Sequence, residues 1–511
     1  MTSTLPSSVR PLNPRRRWAA LGVLVGAVLL LAVDGTVLYL AVPSLTRELA
    51  PTATEVLWIG DVYSLALAGL LVTAGNLADR FGRKKVLLLG TAAFGLASAL
   101  AAFSPTAGVL VVARLLLGVA GATIMPSTLS LIRTLFTDPR ERTRAIAIWS
   151  AGSGGGIALG PLVGGTLLEH YWWGSVFLIN LPIVVVFLIA GAWLLPESRD
   201  PNPGRFDLLS AGLALAAIVP LVYAVKHAVS SGPDLQVGVA AALGLVSGVL
   251  FIRRQRRAEA PLIDITLFRN GAFSGAVLAN FIAVFALMGL LFFFSQYLQL
   301  VRGFSPLQAG FAEMPATLAS IAVVAAVGVV TGRLGRGRAV AAGLAVAALG
   351  LALVSVAERA PQYWWLGLTL VPVGLGVGLA LTLTVDSVLS AVPRDKAGSA
   401  SAISETAYEL GAALGIAILG SVVNLVYRAF LPAGPVPAEA RDSLAGAASV
   451  LAPDSELAHA AREAFTGAMQ VTSLAAAAVT AVAAVIAWRT IPSGKDFPMG
   501  IVKSRSRRDR G

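Results

Sequence analysis

Long apolar runs of about 20 residues recur from one end of the chain to the other, and short segments dense in Gly, Pro, Arg and Lys separate them. An α-helix of that length crosses the roughly 30 Å hydrocarbon core of a bilayer and satisfies its own backbone hydrogen bonds. The pattern predicts fourteen helices. They fall at about 18–40, 57–76, 86–103, 109–131, 143–167, 175–195, 207–227, 236–252, 272–299, 307–331, 339–357, 364–391, 399–428 and 464–488. The expected fold class is an all-α polytopic membrane protein.

The polar interruptions carry a repeat. GNLADRFGRKK at 75–85 follows the second helix, and a reduced version, GRLGRGR at 332–338, follows the tenth. The two correspond if the chain is six helices, two inserted helices, then six more. That divides it into a terminus (1–17), a six-helix bundle (18–195), two inserted helices (207–252), a basic loop (253–271), a second bundle (272–488) and a basic tail (489–511). Within the second bundle, 429–463 forms the longest loop, with room for a short amphipathic helix. Repeated halves mark secondary transporters that rock around a midplane site.

Composition sharpens the class. Hydrophobic residues make up 56% of the 511 and charged residues only 13%, against roughly 25% charged in soluble domains. The net charge of +12 invites a nucleic-acid partner. Basic residues crowd alternate loops instead, as the positive-inside rule requires, so both termini are expected in the cytoplasm and no nucleic acid is expected. The first helix follows Arg15, Arg16 and Arg17 and is too long for a signal-peptide core, so it is expected to be retained. The tail from Lys503 is suited to anionic lipid. With no cysteine, disulfides and thiolate chemistry are excluded, and His170, His227 and His459 form no metal-spaced cluster.

Against this apolar background stand Asp34, Asp61, Glu313, Asp386, Glu405 and Glu409, with Arg114. A charge at mid-bilayer costs about 2.5–3.5 kcal/mol on insertion scales, so intramembrane charges mark function until shown otherwise. Glu405 and Glu409 are four apart, hence on one helix face. Two carboxyls close together in a low-dielectric site do not both ionise cheaply, so such a pair can share a proton that a cation displaces. Asp34 and Asp61 are expected to form a second acidic locus across helices 1 and 2, with Asp386 facing them from helix 12. Glu313 lies beside Pro315, where a helix distortion is expected. The competing reading for each acid is a structural partner of Arg114 or of a backbone group. Phe281, Phe285, Phe292, Phe293 and Tyr297 crowd the ninth helix, either as cation-binding faces or as packing. Adjacent helix positions point in different directions, which favours packing.

Several segments together carry a family resemblance. The turn at 75–85, with Gly75, Asp79, Arg80, Gly82 and Arg83, closely resembles the signature loop of the major facilitator superfamily, where it latches a cytoplasmic gate. GIALGPLVGG, with Gly156, Gly160, Pro161, Gly164 and Gly165, resembles the antiporter motif that marks exporters of that superfamily. Arg114 in VVARLLLGVAGA is similar to its buried helix-4 arginine, which is linked to proton movement. VDGTVLYLAVP at 33–43, WIGDVYS at 58–64 and SETAYELGAALGIAILG at 404–420 resemble the fourteen-helix drug:proton antiporters, in their quaternary-ammonium and methyl-viologen resistance branch. WWGSVFLINLPI at 172–183 also matches, except that Gly174 and Ser175 stand where many relatives have Arg-Trp.

The resemblance implies a 6+2+6 fold with helices 1, 2, 4, 5, 9, 10, 12 and 13 lining the cavity, and every intramembrane charge named above falls on that set. It implies a monomeric inner-membrane exporter of lipophilic, mainly cationic compounds, driven by protons without a cofactor. A dedicated exporter of one natural product would show the same motifs. A receptor would not need several cavity acids. Nothing resembles a Walker A loop, a Ser/His pair or a metal-ligand set, so ATP hydrolysis and intramembrane enzymology are not expected.

Overall fold

The computed structural model describes residues 13–199, 207–258, 261–392 and 396–493. The start of the chain and the basic tail beyond 493 lie outside the described residues. Among the described residues fourteen helices are long and apolar enough to cross a membrane. They are α1 (Pro14–Leu49), α2 (Ala53–Phe81), α3 (Arg83–Ala102), α4 (Ala107–Leu135), α5 (Pro139–His170), α6 (Ser175–Leu194), α7 (Leu208–Ser231), α8 (Leu235–Arg257), α9 (Gly271–Val301), α10 (Pro306–Leu334), α11 (Arg336–Ala357), α12 (Tyr363–Ser390), α13 (Ala397–Phe430) and α14 (Glu456–Thr490).

Most of these helices run beyond their apolar cores because polar residues cap them. Asn13 caps α1 ahead of Pro14, and Thr52 with Glu55 forms a capping box at α2. Ser305 with Gln308 does the same at α10, and Asp138, Asp234 and Ser455 cap α5, α8 and α14. Near Pro315 in α10 the distortion takes the form of a 3-10 segment, Val323–Ala326, two turns further on.

The repeat is visible in the packing. Helix α1 lies on α5, α2 on α4, and α3 on α4 and α6; eight helices later α9 lies on α13, α10 on α12, and α11 on α12 and α14. The two turns singled out by sequence are built alike. Gly82 takes a φ of +116°, and the backbone N–H of Arg83 donates to the Ser198 carbonyl (2.9 Å) in the segment after α6. In the second half Gly335 takes a φ of +76°, and the Arg338 N–H donates to the Ser493 hydroxyl (3.0 Å) in the segment after α14. Each half therefore pins its own turn with the chain that leaves its sixth helix.

The inserted α7 and α8 form a hairpin fastened at both ends. At one end Asp207 bonds Arg254 (2.9 Å) and Ser210 (2.6 Å). Burial pushes the Asp207 carboxyl up, but these bonds outweigh it and hold it down at about 2. At the other end Tyr223 stacks on His227, which contacts Asp234 at 3.0 Å, while the Tyr223 hydroxyl donates to Gln236 (2.9 Å). The hairpin leans on α2 and α13 through α7.

The described ends of the chain lie on one face, called here the termini face; the other is the far face. The segment after α13 covers the far face with two short helices, Ala438–Asp442 and Leu444–Val450. Asp442 pairs with Arg428 and accepts the Ala53 N–H at the start of α2, each at 2.5 Å. The loop of the second half thus ties down the first half.

The glycines of α5 explain how that helix reaches α1. A methyl group at Gly152, Gly156 or Gly164 would fall 2.5 Å from Val25, 2.6 Å from Ala32 or 2.6 Å from Val37, and at Gly160 it would overlap Thr36. These residues recur every four positions and form one ridge-free stripe. Gly165 and the Pro161 carbonyl face α10 instead, at Leu307 and Gly310. Gly154 and Gly155 face open space.

Two predictions follow from this packing. Gly160→Ala overpacks the α1–α5 crossing and is expected to cost roughly 1–3 kcal/mol. Gly154→Ala removes only helix flexibility and is expected to be neutral or stabilising by about 0.5–1 kcal/mol. Thermal unfolding of the purified variants in detergent distinguishes the two; equal midpoints would contradict the stripe. At the α2–α3 turn, the Glu197 carboxylate accepts the N–H groups of Lys84 and Lys85 (3.2 Å each), an anion at a helix start. Gly82→Ala adds both backbone strain and a methyl 2.7 Å from that carboxylate. It should therefore lower the unfolding temperature more than Glu197→Gln, and Glu197→Ala should rescue only the steric part.

Candidate functional site

Three helices of the first half converge on Asp34. This aspartate is fully buried on α1. One carboxylate oxygen accepts from the Arg114 guanidinium of α4 (3.0 Å) and the other from the Asn180 amide of α6 (2.8 Å). Asn180 also donates to Ser98 of α3 (3.1 Å). Arg114 in turn donates to the Ile59 carbonyl of α2 (3.2 Å) and lies 4.6 Å over the Tyr63 ring. A buried charge is tolerated when it is paired and its remaining hydrogen-bonding groups are satisfied, and this one meets both conditions.

Asp61 is also fully buried, on α2. Its partner is Lys226 of the inserted helix α7, with Nζ 2.8 Å from one carboxylate oxygen and 2.6 Å from the other. The same ammonium sits 3.6 Å from the centre of the Trp58 ring. Asp34 and Asp61 each have their own cation, and Arg114 is within electrostatic reach of both, so the expected acidic locus takes the form of two adjoining ion pairs. Sequence reasoning missed Lys226. It lies one residue from the end of a predicted span, where a lysine ordinarily reaches to the headgroups. It missed Asn180 too, since a neutral amide raises no alarm in a hydropathy pattern. Glu358, buried just past α11 and hydrogen-bonded by Ser473 (3.0 Å), lies one residue beyond the span predicted for the eleventh helix.

The three glutamates differ from the aspartates. Glu405 and Glu409 lie on one face of α13, partly exposed and within electrostatic reach of each other. Ser64 of α2, one turn from Asp61, lies within electrostatic reach of Glu409. Glu313 of α10 is buried, with one carboxylate oxygen unpartnered. Tyr39 of α1 feels both Glu409 and Glu313. Among the described residues no Lys or Arg forms an ion pair with any of the three.

Asp386 does not join them. Its side chain is 55% exposed, close to the termini face, and pairs with Arg336 at the start of α11 (2.9 Å). Four residues from the end of α12, it reaches a basic turn rather than the middle of the bundle. Most of the α9 aromatics follow the favoured packing alternative. Phe292, Phe293 and Tyr297 are buried as packing: Phe292 stands edge-on to Tyr39 at 5.5 Å, and the Tyr297 hydroxyl donates to the Glu358 carbonyl. Phe285 is buried where α9 meets Gly411 and Gly415 of α13, and Phe281, one turn away, keeps some exposure.

The gate turn makes its contacts within its own half. Arg83 bonds Asp79 (2.8 Å) and Thr134 of α4 (3.1 Å), and Arg80 lies over Phe81. Contacts between the halves lie from the far face to mid-bundle. The Gln299 amide donates to the Leu40 carbonyl (3.1 Å), the Tyr39 hydroxyl approaches the Met288 sulfur (3.6 Å), and Gly60 packs under Phe292 and Ile416. At mid-bundle α2 packs on α13. Among the described residues these contacts join the two bundles from the far face to mid-bundle.

Known proteins share this architecture. The sequence pattern of the Major Facilitator Superfamily matches residues 24–416. The chain is 45% identical over 491 residues to the multidrug efflux pump LfrA of Mycolicibacterium smegmatis, covering 94% of this chain and 97% of LfrA. It is 37% identical to the methyl viologen resistance protein SmvA of Salmonella typhimurium, covering 82% of this chain and 85% of SmvA. A bacterial homologue of the lysosomal transporter Spinster, solved inward-facing and unoccupied, superposes with a TM-score of 0.69 at 15% identity, covering 94% of this chain and 98% of that one. The fold, the motifs at their expected positions and these matches agree that the chain belongs to the major facilitator superfamily of membrane transporters.

Proposed function

We propose that this protein is a proton-driven multidrug efflux antiporter of the bacterial inner membrane that exports amphipathic, mainly cationic compounds. The observation that carries the reading is the contrast among the intramembrane acids. Asp34 and Asp61 are held by cations, whereas Glu313, Glu405 and Glu409 have none among the described residues. An unpaired carboxyl in a low-dielectric site is stable when it carries a proton or when a cation sits beside it. Proton and cationic drug then compete for one place, and that competition is exchange. The names of LfrA and SmvA support export of drugs.

The positive-inside bias supports a reading with both termini in the cytoplasm. The closed far face is then external, and the arrangement is inward-open. A cation arriving from the cytoplasm or inner leaflet displaces the glutamate proton, the halves rock, and external protons release the cargo. The protonated site then permits the return. The halves rock on the seam of Gly165 and Gly310, where backbones meet without side chains between them. The chain works as a monomer in this scheme.

The test is ethidium efflux in inverted vesicles at matched expression. Wild type should transport only while a proton gradient stands, and Glu409→Gln should abolish exchange. Asp386→Asn should stay within about twofold of wild type, since an exposed ion pair contributes only about 0–1 kcal/mol. Full activity of Glu409→Gln would overturn the mechanism. Asp34→Asn strands the Arg114 charge, costing about 3–5 kcal/mol, and should lower both yield and activity.

A further inference from the structure

We propose that Lys226 is a resident counter-cation that sets the charge preference of the site. It occupies Asp61, leaves the glutamates to a singly charged substrate, and is displaced by a doubly charged one. The inference rests on the reading of cation export above.

The two ion pairs of the first half are unlike. Arg114 is fixed by Asp34, by the Ile59 carbonyl and by the Tyr63 face, a planar group held on several sides. Lys226 carries a compact ammonium on a flexible four-carbon stem, with the Asp61 carboxylate and the Trp58 face as its partners. An ammonium over an indole ring beside a carboxylate is the environment a quaternary-ammonium ligand seeks. The lysine thus fills a site with the chemistry of the substrate's own.

Its position is built rather than incidental. The six-helix repeats pack without α7 and α8, yet α7 lies along α2 through three successive contacts: Lys226 on Asp61, Val222 beside Leu65, and Leu215 against Gly69. It touches the second half at Ala413 and Ala417 of α13, the helix of Glu405 and Glu409. Bonds at both ends of the hairpin hold α7 in register. Asp61 stands on α2, which packs along the helix carrying Glu405 and Glu409, so the lysine's site borders the free glutamates. A monocation held by the glutamates leaves Lys226 where it is. A dication brings a second charge that can replace the ammonium at Asp61.

The test uses purified full-length protein in proteoliposomes, with tetraphenylphosphonium as the monocation and methyl viologen as the dication. Lys226→Gln is expected to tighten methyl viologen binding by roughly tenfold while leaving tetraphenylphosphonium within about threefold, a specificity change rather than a general one. Lys226→Arg should restore the wild-type ratio. The double variant Asp61→Asn/Lys226→Gln removes both charges together, so it is expected to fold even where the single variant does not. It should keep monocation exchange and bind the dication more weakly than wild type. An unchanged ratio of the two affinities in the folded variants, or equal loss of both substrates in the double variant, overturns the proposal. Wild type that exchanges neither cation for protons removes the export reading together with this one; wild type that exchanges both, with an unchanged ratio in the variants, removes this one alone.

Discussion

The cost of placing charge inside a bilayer organises this molecule. Each ionised group at mid-membrane must be matched or neutralised, and the fold meets that demand in two ways. In the first half, cations on neighbouring helices meet the aspartates. Arg114 reaches from α4 to Asp34 on α1, and Lys226 reaches from the inserted α7 to Asp61 on α2. These pairs join helices that the glycine-lined packing brings close, and partnerless charges would drive those helices apart. In the second half no fixed cation arrives, and Glu313, Glu405 and Glu409 remain without one among the described residues.

That asymmetry has a mechanical counterpart. The α1–α5 crossing relies on four glycines spaced by four, so two helices of the first half move as one body. The seam between the bodies is of a different kind. Gly165 meets Pro306 and Leu307, Gly310 meets the Pro161 carbonyl, and Gly60 meets Phe292. Interfaces of backbone against backbone, with aromatic rings at one end, slide or part without unwinding either helix. The far-face loop adds a polar tie through Asp442 to the start of α2. Hydrogen bonds of that sort are exchangeable with water.

Much of this was legible in the chain. The fourteen helices, the 6+2+6 order and the small-residue stripe follow from hydropathy and spacing, because the bilayer imposes a strict length and glycine marks close approach. The acids were legible as exceptions, but their partners were not. Period and composition do not say which way a side chain points, so the pairing of Asp34 with Arg114 and of Asp61 with Lys226 is visible only in the fold. Asp386 sits in an apolar stretch, yet it lies within four residues of its helix end and reaches Arg336. Distance from the membrane surface, rather than the apolarity of the neighbours, decided its role. Lys226 was hidden by the same ambiguity in the opposite sense.

The inserted hairpin gains a meaning from this. If α7 and α8 only filled space, their contact with the bundle would be apolar throughout, as it is between Val222 and Leu65. A lysine placed there instead must be matched by a carboxylate, since a single charge in that position would cost several kcal/mol. Asp61 therefore depends on the insertion: a twelve-helix bundle with the same α2 would leave this aspartate as bare as the glutamates. The two extra helices alter the electrostatics of the first half more than its shape, and they do so at the point where α2 touches the helix carrying Glu405 and Glu409.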